Sequence, residues 1–206
     1  MIFKSGLFAA VLIFFYSTVI AQDENDAVKE IELHREKQER EFRDEKTSPL
    51  TKKDRRRFKH LNYFPIDLKY RVPAKFVRTA NMPIFKMQTT TSRLPEYLKY
   101  GEVQFELDGQ QLKLEVYQSP DIAKRPGYED YLFIPFTDLT NGEETYEVGR
   151  YLEFRIPESE EVIVDFNKAY NPYCSYNSTF SCPIPPEPNR LPISVFAGEK
   201  KFKEKH

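Results

Sequence analysis

The sequence predicts a mainly β protein, an antiparallel β-sandwich or small barrel with an N-terminal α-helical arm. Runs of alternating apolar and polar residues recur from residue 68 to residue 195, and short turn motifs rather than helices separate them. Six of the seven glycines lie near the ends of these runs, where turns and bulges are expected. Residues 23–47 instead lack proline and glycine and place opposite charges four residues apart, which favours a helix.

Residues 1–21 have the features of a secretory signal peptide. Lys4 precedes an apolar run, and Val19 and Ala21 occupy the small-residue positions of a cleavage site. We expect a mature chain that begins near Gln22, is periplasmic or secreted, and has no stable membrane span after cleavage. A retained anchor is the alternative, but the apolar run is short for a span. The formal net charge of −1 excludes nucleic acid as an expected partner, because duplex binding requires a strong positive excess.

A charged helix is predicted over residues 22–47. Its apolar stripe is narrow and partly polar, and consists of Val28, Ile31, Arg35, Gln38 and Phe42. We expect this helix to lie along the surface of the protein or to extend as an arm that contacts a partner. After Ser48-Pro49, Thr51 with Asp54 three residues later predicts a second, short helix with a side-chain cap.

Residues 48–203 are predicted to form a single β-rich domain. The clearest element is a hairpin, in which two alternating runs flank Asp108-Gly109. Strands are predicted at residues 68–76, 103–107, 112–116, 132–134, 151–156, 162–164 and 191–195. The last of these contains Pro192, which predicts an edge strand or a bulge.

A proline-rich segment, residues 171–190, separates the last two predicted strands. Its five prolines exclude a regular helix or strand. Irregular loops of about twenty residues are uncommon, and they are usually disordered or functional. Because this loop also carries Tyr173, Tyr176 and Phe180, we expect it to be ordered and packed against the sheet.

Long stretches of the chain resemble a known family. They are FIPFTDLTNGEETYEVGRYLEF, VIVDFNKAYNPYCSYNSTFSCPIPP, NRLPISVFAGEK and, at residues 63–67, YFPID. Together they resemble domain of unknown function family 1684 over residues 48–200. The family has no assigned activity, so the resemblance implies no function. Its members tend to read PPPENRLP before the final strand, whereas this chain reads PPEPNRLP, which displaces the acidic residue Glu187.

The two cysteines, Cys174 and Cys182, lie in the proline-rich loop. In an exported chain a disulfide is the first interpretation. Buried free thiols are the second. A metal site is the third, since tetrahedral zinc requires further ligands and the chain has three histidines. We predict no metal and no cofactor. Catalysis by a thiol or a serine has no support, because no histidine lies in the predicted sheet to act as the base.

Polar residues cluster at both ends of the loop and form a candidate ligand site. They are Asp165, Asn167, Tyr170, Asn171, Asn189 and Arg190, with Arg150 and Glu199 from neighbouring strands. Arginine, amide and phenol donors suit a carboxylate, a phosphate or a sugar. Alternatively, the Asp and Asn side chains satisfy backbone groups of the loop and each arginine pairs with an acid.

Two classes of function stay open, and the sequence does not decide whether the protein is an enzyme. The first is a non-catalytic exported protein that binds a small polar or anionic ligand, or a partner, through residues 165–190. The second is a hydrolase-like enzyme that uses Asp165 with Arg150 or Arg190. An Asp165 buried beside an arginine at the base of a pocket would favour a site, and an Asp165 that caps its own loop would favour a structural role.

Overall fold

The structure, a computed structural model, describes residues 6–202, with side-chain environments from residue 22 onward. Helix α1 spans Gly6–Arg43, and two short helices follow, α2 (Lys52–Arg57) and α3 (Pro120–Ala123). The predicted signal peptide lies outside the described residues, apart from the helical backbone of residues 6–21. Among the described residues, no helix has both the length and the hydrophobicity needed to cross a membrane.

Seven strands in the described part of the chain form one antiparallel sheet that curls into a half-barrel. They are β1 (Arg71–Arg78), β2 (Ile84–Lys86), β3 (Glu96–Leu107), β4 (Gln110–Gln118), β5 (Tyr131–Phe136), β6 (Arg150–Arg155) and β7 (Glu161–Asp165). The order across the sheet is β6-β5-β4-β3-β1-β7, and β2 pairs with the start of β3. The predicted fold class is confirmed. Of its two alternatives, the small barrel describes the half-barrel better than the sandwich does.

The β3–β4 hairpin forms where the sequence predicts it. Leu107 pairs with Gln110, and the turn residues Asp108 and Gly109 have φ values of 53° and 72°. Positive φ at both central residues matches the right-handed twist of the strands, and Asp-Gly adopts it readily. One local cap also follows the sequence. Thr51 accepts a hydrogen bond from the Asp54 amide at the start of α2.

The chain after Asp67 departs from the prediction at its start. Asp67 accepts a hydrogen bond from the Lys69 amide at 2.9 Å, and this cap begins a 3₁₀ turn over Leu68–Tyr70. The predicted strand therefore begins only at Arg71. An aspartate that bonds the amide two residues on competes with strand formation.

The concave face of the sheet holds the main hydrophobic core, and the C-terminal segment fills it. The prediction of a strand at residues 191–195 is wrong. The segment forms only isolated backbone hydrogen bonds, to Thr137 and Leu139, and no ladder. Pro192 has no N–H group with which to continue a ladder. The predicted alternation is nevertheless correct, since the buried residues of the segment are Leu191, Ile193, Val195 and Ala197.

The proline-rich loop packs on the opposite face of the sheet. Backbone bridges attach it to the sheet, from Tyr170 just before the loop to Tyr151 and from Pro183 within the loop to Thr89. The Ile184 amide also donates to Gln88 at 2.8 Å. The loop covers a second hydrophobic cluster that contains Met87, Tyr97, Tyr117, Phe133, Tyr151 and Cys182. The prediction that this loop is ordered and packed is confirmed.

The face of helix α1 that carries the predicted apolar stripe packs against the half-barrel. Ala27, Ile31 and Phe42 are buried. Glu30 contacts Arg71 at 2.8 Å and Lys168 at 2.5 Å, so ion pairs reinforce the apolar contacts. The helical arm is thus a packed element, and it forms one wall of the cavity described next.

Candidate functional site

A cavity of about 90 Å³ lies between α1 and the half-barrel. The wall from α1 consists of His34, Lys37, Gln38, Glu41 and Phe42, which are three or four residues apart and therefore share one face of the helix. The opposite wall consists of Glu153 from β6, the loop residues Tyr170, Asn171 and Tyr173, and Glu199.

Glu199 is the most buried acid of the cavity, with 1% of its surface exposed. Its Oε2 accepts a hydrogen bond from the Asn171 amide at 2.9 Å, and its Oε1 accepts one from the Tyr176 hydroxyl. Burial raises the pKa of Glu199 to about 7, and these hydrogen bonds limit the rise. The carboxyl group is therefore poised to change its charge near neutral pH.

Two other cavity residues carry buried polar atoms without a hydrogen-bond partner in the described part of the chain. The Asn171 side-chain amide donates to the Lys200 carbonyl at 2.8 Å, which fixes its orientation, yet its Oδ1 has no partner among the described residues. The Nε2 atom of His34 is likewise buried without a partner in that part of the chain. Burial lowers the pKa of His34 to about 4, so the ring is neutral at pH 7 and one ring nitrogen is an acceptor.

The mouth of the cavity is acidic and aromatic. Glu153 keeps part of its surface exposed to solvent, but burial of the rest among its neighbours raises its pKa. Lys37 lies 3.9 Å from Glu41 in a solvent-exposed pair, which is a weak interaction. The rings of Phe42 and Tyr173 meet edge to face at 6.5 Å. The cavity thus combines carboxylates and neutral acceptors with aromatic walls.

Three of the eight predicted ligand residues, Tyr170, Asn171 and Glu199, line this cavity. The other five lie elsewhere, and four of them are buried among structural partners. The described residues contain no group of three or more His, Cys, Asp or Glu side chains arranged to hold a metal ion.

Arg150 forms a buried ion pair beneath the C-terminal segment. Its side chain is fully buried, and it donates to Asp138 Oδ2 at 2.8 Å and to the carbonyls of Val195 and Ala197. Asp138 is also held by the Thr140 amide at 2.9 Å. Burial lowers the pKa of Arg150, and the Asp138 carboxylate opposes this effect. The pair fixes the residues 195–197 inside the half-barrel.

Asp165 caps its own turn, which is the structural alternative stated above. Its Oδ1 accepts hydrogen bonds from the amide and the side chain of Asn167, each at 3.0 Å. Its Oδ2 contacts Arg71 at 2.8 Å, so its arginine partner is neither Arg150 nor Arg190. Asn167 also bonds both backbone groups of Asp67, at 3.0 and 2.9 Å. These side chains join two 3₁₀ turns that support α1, Leu68–Tyr70 and Phe166–Lys168.

Asn189 joins two strands that barely pair. Regular pairing between β4 and β5 is confined to Tyr117 and Phe133. The Asn189 side chain bonds the amide and the carbonyl of Glu115 and the carbonyl of Pro135, at 2.7, 2.9 and 2.7 Å. It therefore replaces ladder bonds that are missing from the sheet. Arg190, the next residue, is exposed and does not line the cavity.

The predicted disulfide is not formed in this structure. Cys174 and Cys182 are free thiols that are not at bonding distance. They are nevertheless neighbours, because the Cys174 amide donates to Cys182 Sγ at 3.2 Å. Cys174 is partly exposed, whereas Cys182 is buried.

The sequence reasoning missed most of the α1 wall. His34, Lys37 and Glu41 have the spacing of one helix face, which is a signal in the sequence. They are polar and lie beside the apolar stripe, so the stripe alone does not identify them. Glu153 also had a signal, because it alternates with Leu152 and Phe154 in the predicted strand and must face away from the main core.

The fold and the cavity define this protein as an antiparallel half-barrel with a polar cavity beneath its N-terminal helix. Residues 56–200 match the model of the family described as Protein of unknown function (DUF1684), and the chain belongs to this family. The resemblance noted in the sequence is thereby confirmed. The chain is also similar to the solution NMR structure of an uncharacterized protein of Haloarcula marismortui. The two share 34% sequence identity and a TM-score of 0.69 over 90% of this chain and 99% of the other. No curated protein matches the chain.

Proposed function

We propose that this protein is an exported binding protein whose cavity accepts a small organic cation, such as a primary amine or a quaternary ammonium group. The single observation that carries this proposal is the composition of the walls. Carboxylates of Glu41, Glu153 and Glu199 converge there with the unused acceptors of His34 and Asn171. A primary ammonium group supplies the donors that these acceptors lack, whereas a quaternary ammonium group would be held only by the carboxylates and the aromatic rings.

The charge of the cavity also favours a cation. Three acids face one lysine, Lys37, the histidine is neutral at pH 7, and Glu199 adds its negative charge as it ionises near pH 7. The anionic ligand expected from the sequence relied on Arg150 and Arg190, and neither lines the cavity. A positive ligand would meet opposite charge, whereas an anion would be repelled.

The aromatic walls and the size of the cavity narrow the ligand class. The rings of Phe42, Tyr170 and Tyr173 can attract a cation through their faces. A volume of about 90 Å³ is well below the range of roughly 300–1,000 Å³ typical of drug-sized ligands. The ligand, or the part of it that enters, therefore has only a few heavy atoms.

Export and further contacts belong to the same proposal. Lys4, the apolar run and the small residues before Gln22 support a periplasmic or secreted protein, in which Cys174 and Cys182 would meet oxidising conditions. The exposed charges of α1 can serve a partner. The hydrolase-like alternative stays a hypothesis, and the capping role of Asp165 does not favour it.

The proposal is tested by thermal unfolding of the purified protein with propylammonium chloride, choline chloride or sodium propionate. At a free ligand concentration of about 100 Kd, a ligand that binds only the folded state stabilises the protein by ~2.7 kcal/mol. This raises Tm by roughly 5 °C or more in a protein of this size. We expect such a saturable rise for at least one cation and none for propionate.

Two variants make the test specific. Glu199→Gln and Glu153→Gln should each weaken the stabilisation, because each removes a negative charge from the cavity. Glu187→Gln is the matched control, since Glu187 is an exposed acid outside the cavity. Equal stabilisation by cation and propionate, or an undiminished effect in both cavity variants, would contradict the proposal.

A further inference from the structure

The two thiols of the proline-rich loop form a site that the cation cavity does not use. The 3₁₀ turn Tyr173–Ser175 brings Cys174 back against Cys182, and the two belong to one hydrophobic cluster with Tyr170 and Phe180. The rings of Tyr173 and Phe180 meet edge to face at 5.4 Å beside the cysteines. The packing therefore holds the two side chains as a pair.

Polar contacts act differently on the two sulfurs. The Cys174 amide donates to Cys182 Sγ at 3.2 Å, and the Tyr146 hydroxyl lies 3.7 Å from Cys174 Sγ. Contact between the thiols and the nearby hydroxyls lowers the pKa of Cys174 to about 6. The same contact and burial raise the pKa of Cys182. These pKa shifts favour the thiolate form at Cys174 over Cys182.

The two thiols also differ in exposure, and Cys174 is again the more reactive one. Cys174 is partly exposed and can meet a dissolved reagent, whereas Cys182 is 6% exposed. Backbone bonds hold Cys182 in place, since its carbonyl accepts from the Thr90 amide at 2.9 Å and its amide donates to the Thr90 hydroxyl at 3.2 Å. A reagent would reach the pair through Cys174.

We infer that Cys174 and Cys182 form a reversible thiol–disulfide exchange site, in which Cys174 attacks a low-molecular-weight disulfide and Cys182 resolves the product. In the first step the Cys174 thiolate forms a bond to one sulfur of the reagent, the reagent S–S bond breaks, and a thiolate leaves. In the second step Cys182 gives its proton to the thiolate released in the first step, and its sulfur attacks Cys174 Sγ. The mixed disulfide bond breaks and the second reagent thiolate leaves. The protein is oxidised by two electrons, and one reagent disulfide is reduced to two thiols.

The second step requires the two sulfurs to approach each other. Cys182 Sγ already lies 3.2 Å from the backbone amide of Cys174, so the two residues are neighbours before oxidation. The Cys174 side chain is not fully enclosed, so it has room to rotate toward its partner. The free thiols described above are the reduced state of this site.

The experiment treats the reduced protein with oxidised glutathione at pH 7, quenches with acid and measures the intact mass. Wild-type protein should lose the mass of two hydrogen atoms and regain it with excess reduced glutathione. Cys182→Ser should accumulate one glutathione adduct, because the resolving thiol is absent. Cys174→Ser should react at least ~10-fold more slowly, since a buried thiol of ordinary or raised pKa attacks poorly.

Two results would overturn the inference. One is wild-type protein that keeps both thiols in excess oxidised glutathione. The other is a Cys174→Ser variant that forms an adduct as fast as Cys182→Ser. Peptide mapping of wild-type protein after brief iodoacetamide labelling provides a test without substitutions. Cys174 should be labelled before Cys182, and the reverse order would contradict the assigned roles.

Discussion

The backbone amide of Asn171 donates a hydrogen bond of 2.9 Å to the carboxylate of Glu199, which lies 28 residues later in the chain. This bond joins the start of the proline-rich loop to the C-terminal segment. Both residues also line the cavity, so the contact that closes the fold is part of the candidate site. The pH dependence of stability should therefore report on the cavity directly.

Glu199 and His34 should make opposite contributions to stability between about pH 4 and pH 7. Glu199 has a folded-state pKa of about 7, above its ordinary value of 4.5, so its contribution is full below pH 4.5 and is lost as the pH rises to 7. His34 has a folded-state pKa of about 4, below 6.5, so its contribution is full above pH 6.5 and is lost as the pH falls to 4. Each amounts to about 3 kcal/mol at most.

Urea unfolding across this pH range measures the two contributions. In the wild-type protein they largely cancel. Glu199→Gln should unmask a free energy of unfolding that increases with pH, and His34→Gln should unmask one that decreases. Glu187→Gln should behave like the wild type, because Glu187 is exposed. The same pH profile in both cavity variants would show that neither group titrates as described.

Replacement of Arg150 should be far more costly than replacement of an exposed arginine. Arg150→Ala leaves the Asp138 carboxylate buried without its cation, which costs about 3–5 kcal/mol. Arg155→Ala is the control, because the Arg155–Asp130 pair is about half exposed and contributes at most ~1 kcal/mol. Urea unfolding at pH 7 distinguishes the two. Equal losses would mean that the buried pair is not the anchor of the C-terminal segment.

Asn189 and Arg190 are adjacent in sequence but should behave very differently. Asn189→Ala removes three hydrogen bonds that join its side chain to β4 and β5 and leaves backbone groups unsatisfied, so we expect a loss of about 3 kcal/mol or more. Arg190→Ala should change stability by no more than ~0.5 kcal/mol, since the side chain is exposed. Cation binding should also survive the Arg190 change. Loss of cation binding in the Arg190→Ala variant would show that Arg190 belongs to the binding site.

Gly198 should not tolerate a side chain. Its φ is +74°, and a Cβ atom would lie 2.6 Å from the carbonyl oxygens of Phe166 and Ala169. Gly198→Ala should therefore cost about 3 kcal/mol or more, the sum of left-handed strain and overpacking. Gly109→Ala isolates the strain, because Gly109 has a similar φ of +72° and open space around it. It should cost about 1 kcal/mol. Chemical denaturation of the two variants compares them directly.

Much of the fold could be predicted because its signals are local. Alternation and turn residues identified the β3–β4 hairpin, and a cap identified α2. The strand predicted over residues 191–195 failed because alternation reports which side chains are buried, not whether the backbone forms a ladder. Its apolar residues do enter the core. The loop of residues 171–190 was predicted to pack because its aromatic residues outweighed its prolines.

The candidate site could be predicted only in part, because polar residues have the same appearance in binding and structural roles. Asp165 and Asn189 looked like ligand residues. Asp165 instead caps its own turn and pairs with Arg71, and Asn189 satisfies backbone groups of β4 and β5. The partner of Arg150 proved to be Asp138, which no local pattern connects to it. The cavity itself depends on where α1 docks, and a helix stripe predicts burial without specifying the surface that it contacts.

The most direct measurement of the cation proposal is calorimetric titration with propylammonium chloride at pH 6 and pH 8. A cation should bind to the ionised form of Glu199, whose pKa in the free protein is about 7, so the affinity should increase by about tenfold between these two values. In Glu199→Gln the affinity should be lower and independent of pH. Binding that is equally strong at both values and unchanged in Glu199→Gln would contradict the assignment of the cavity as a cation site.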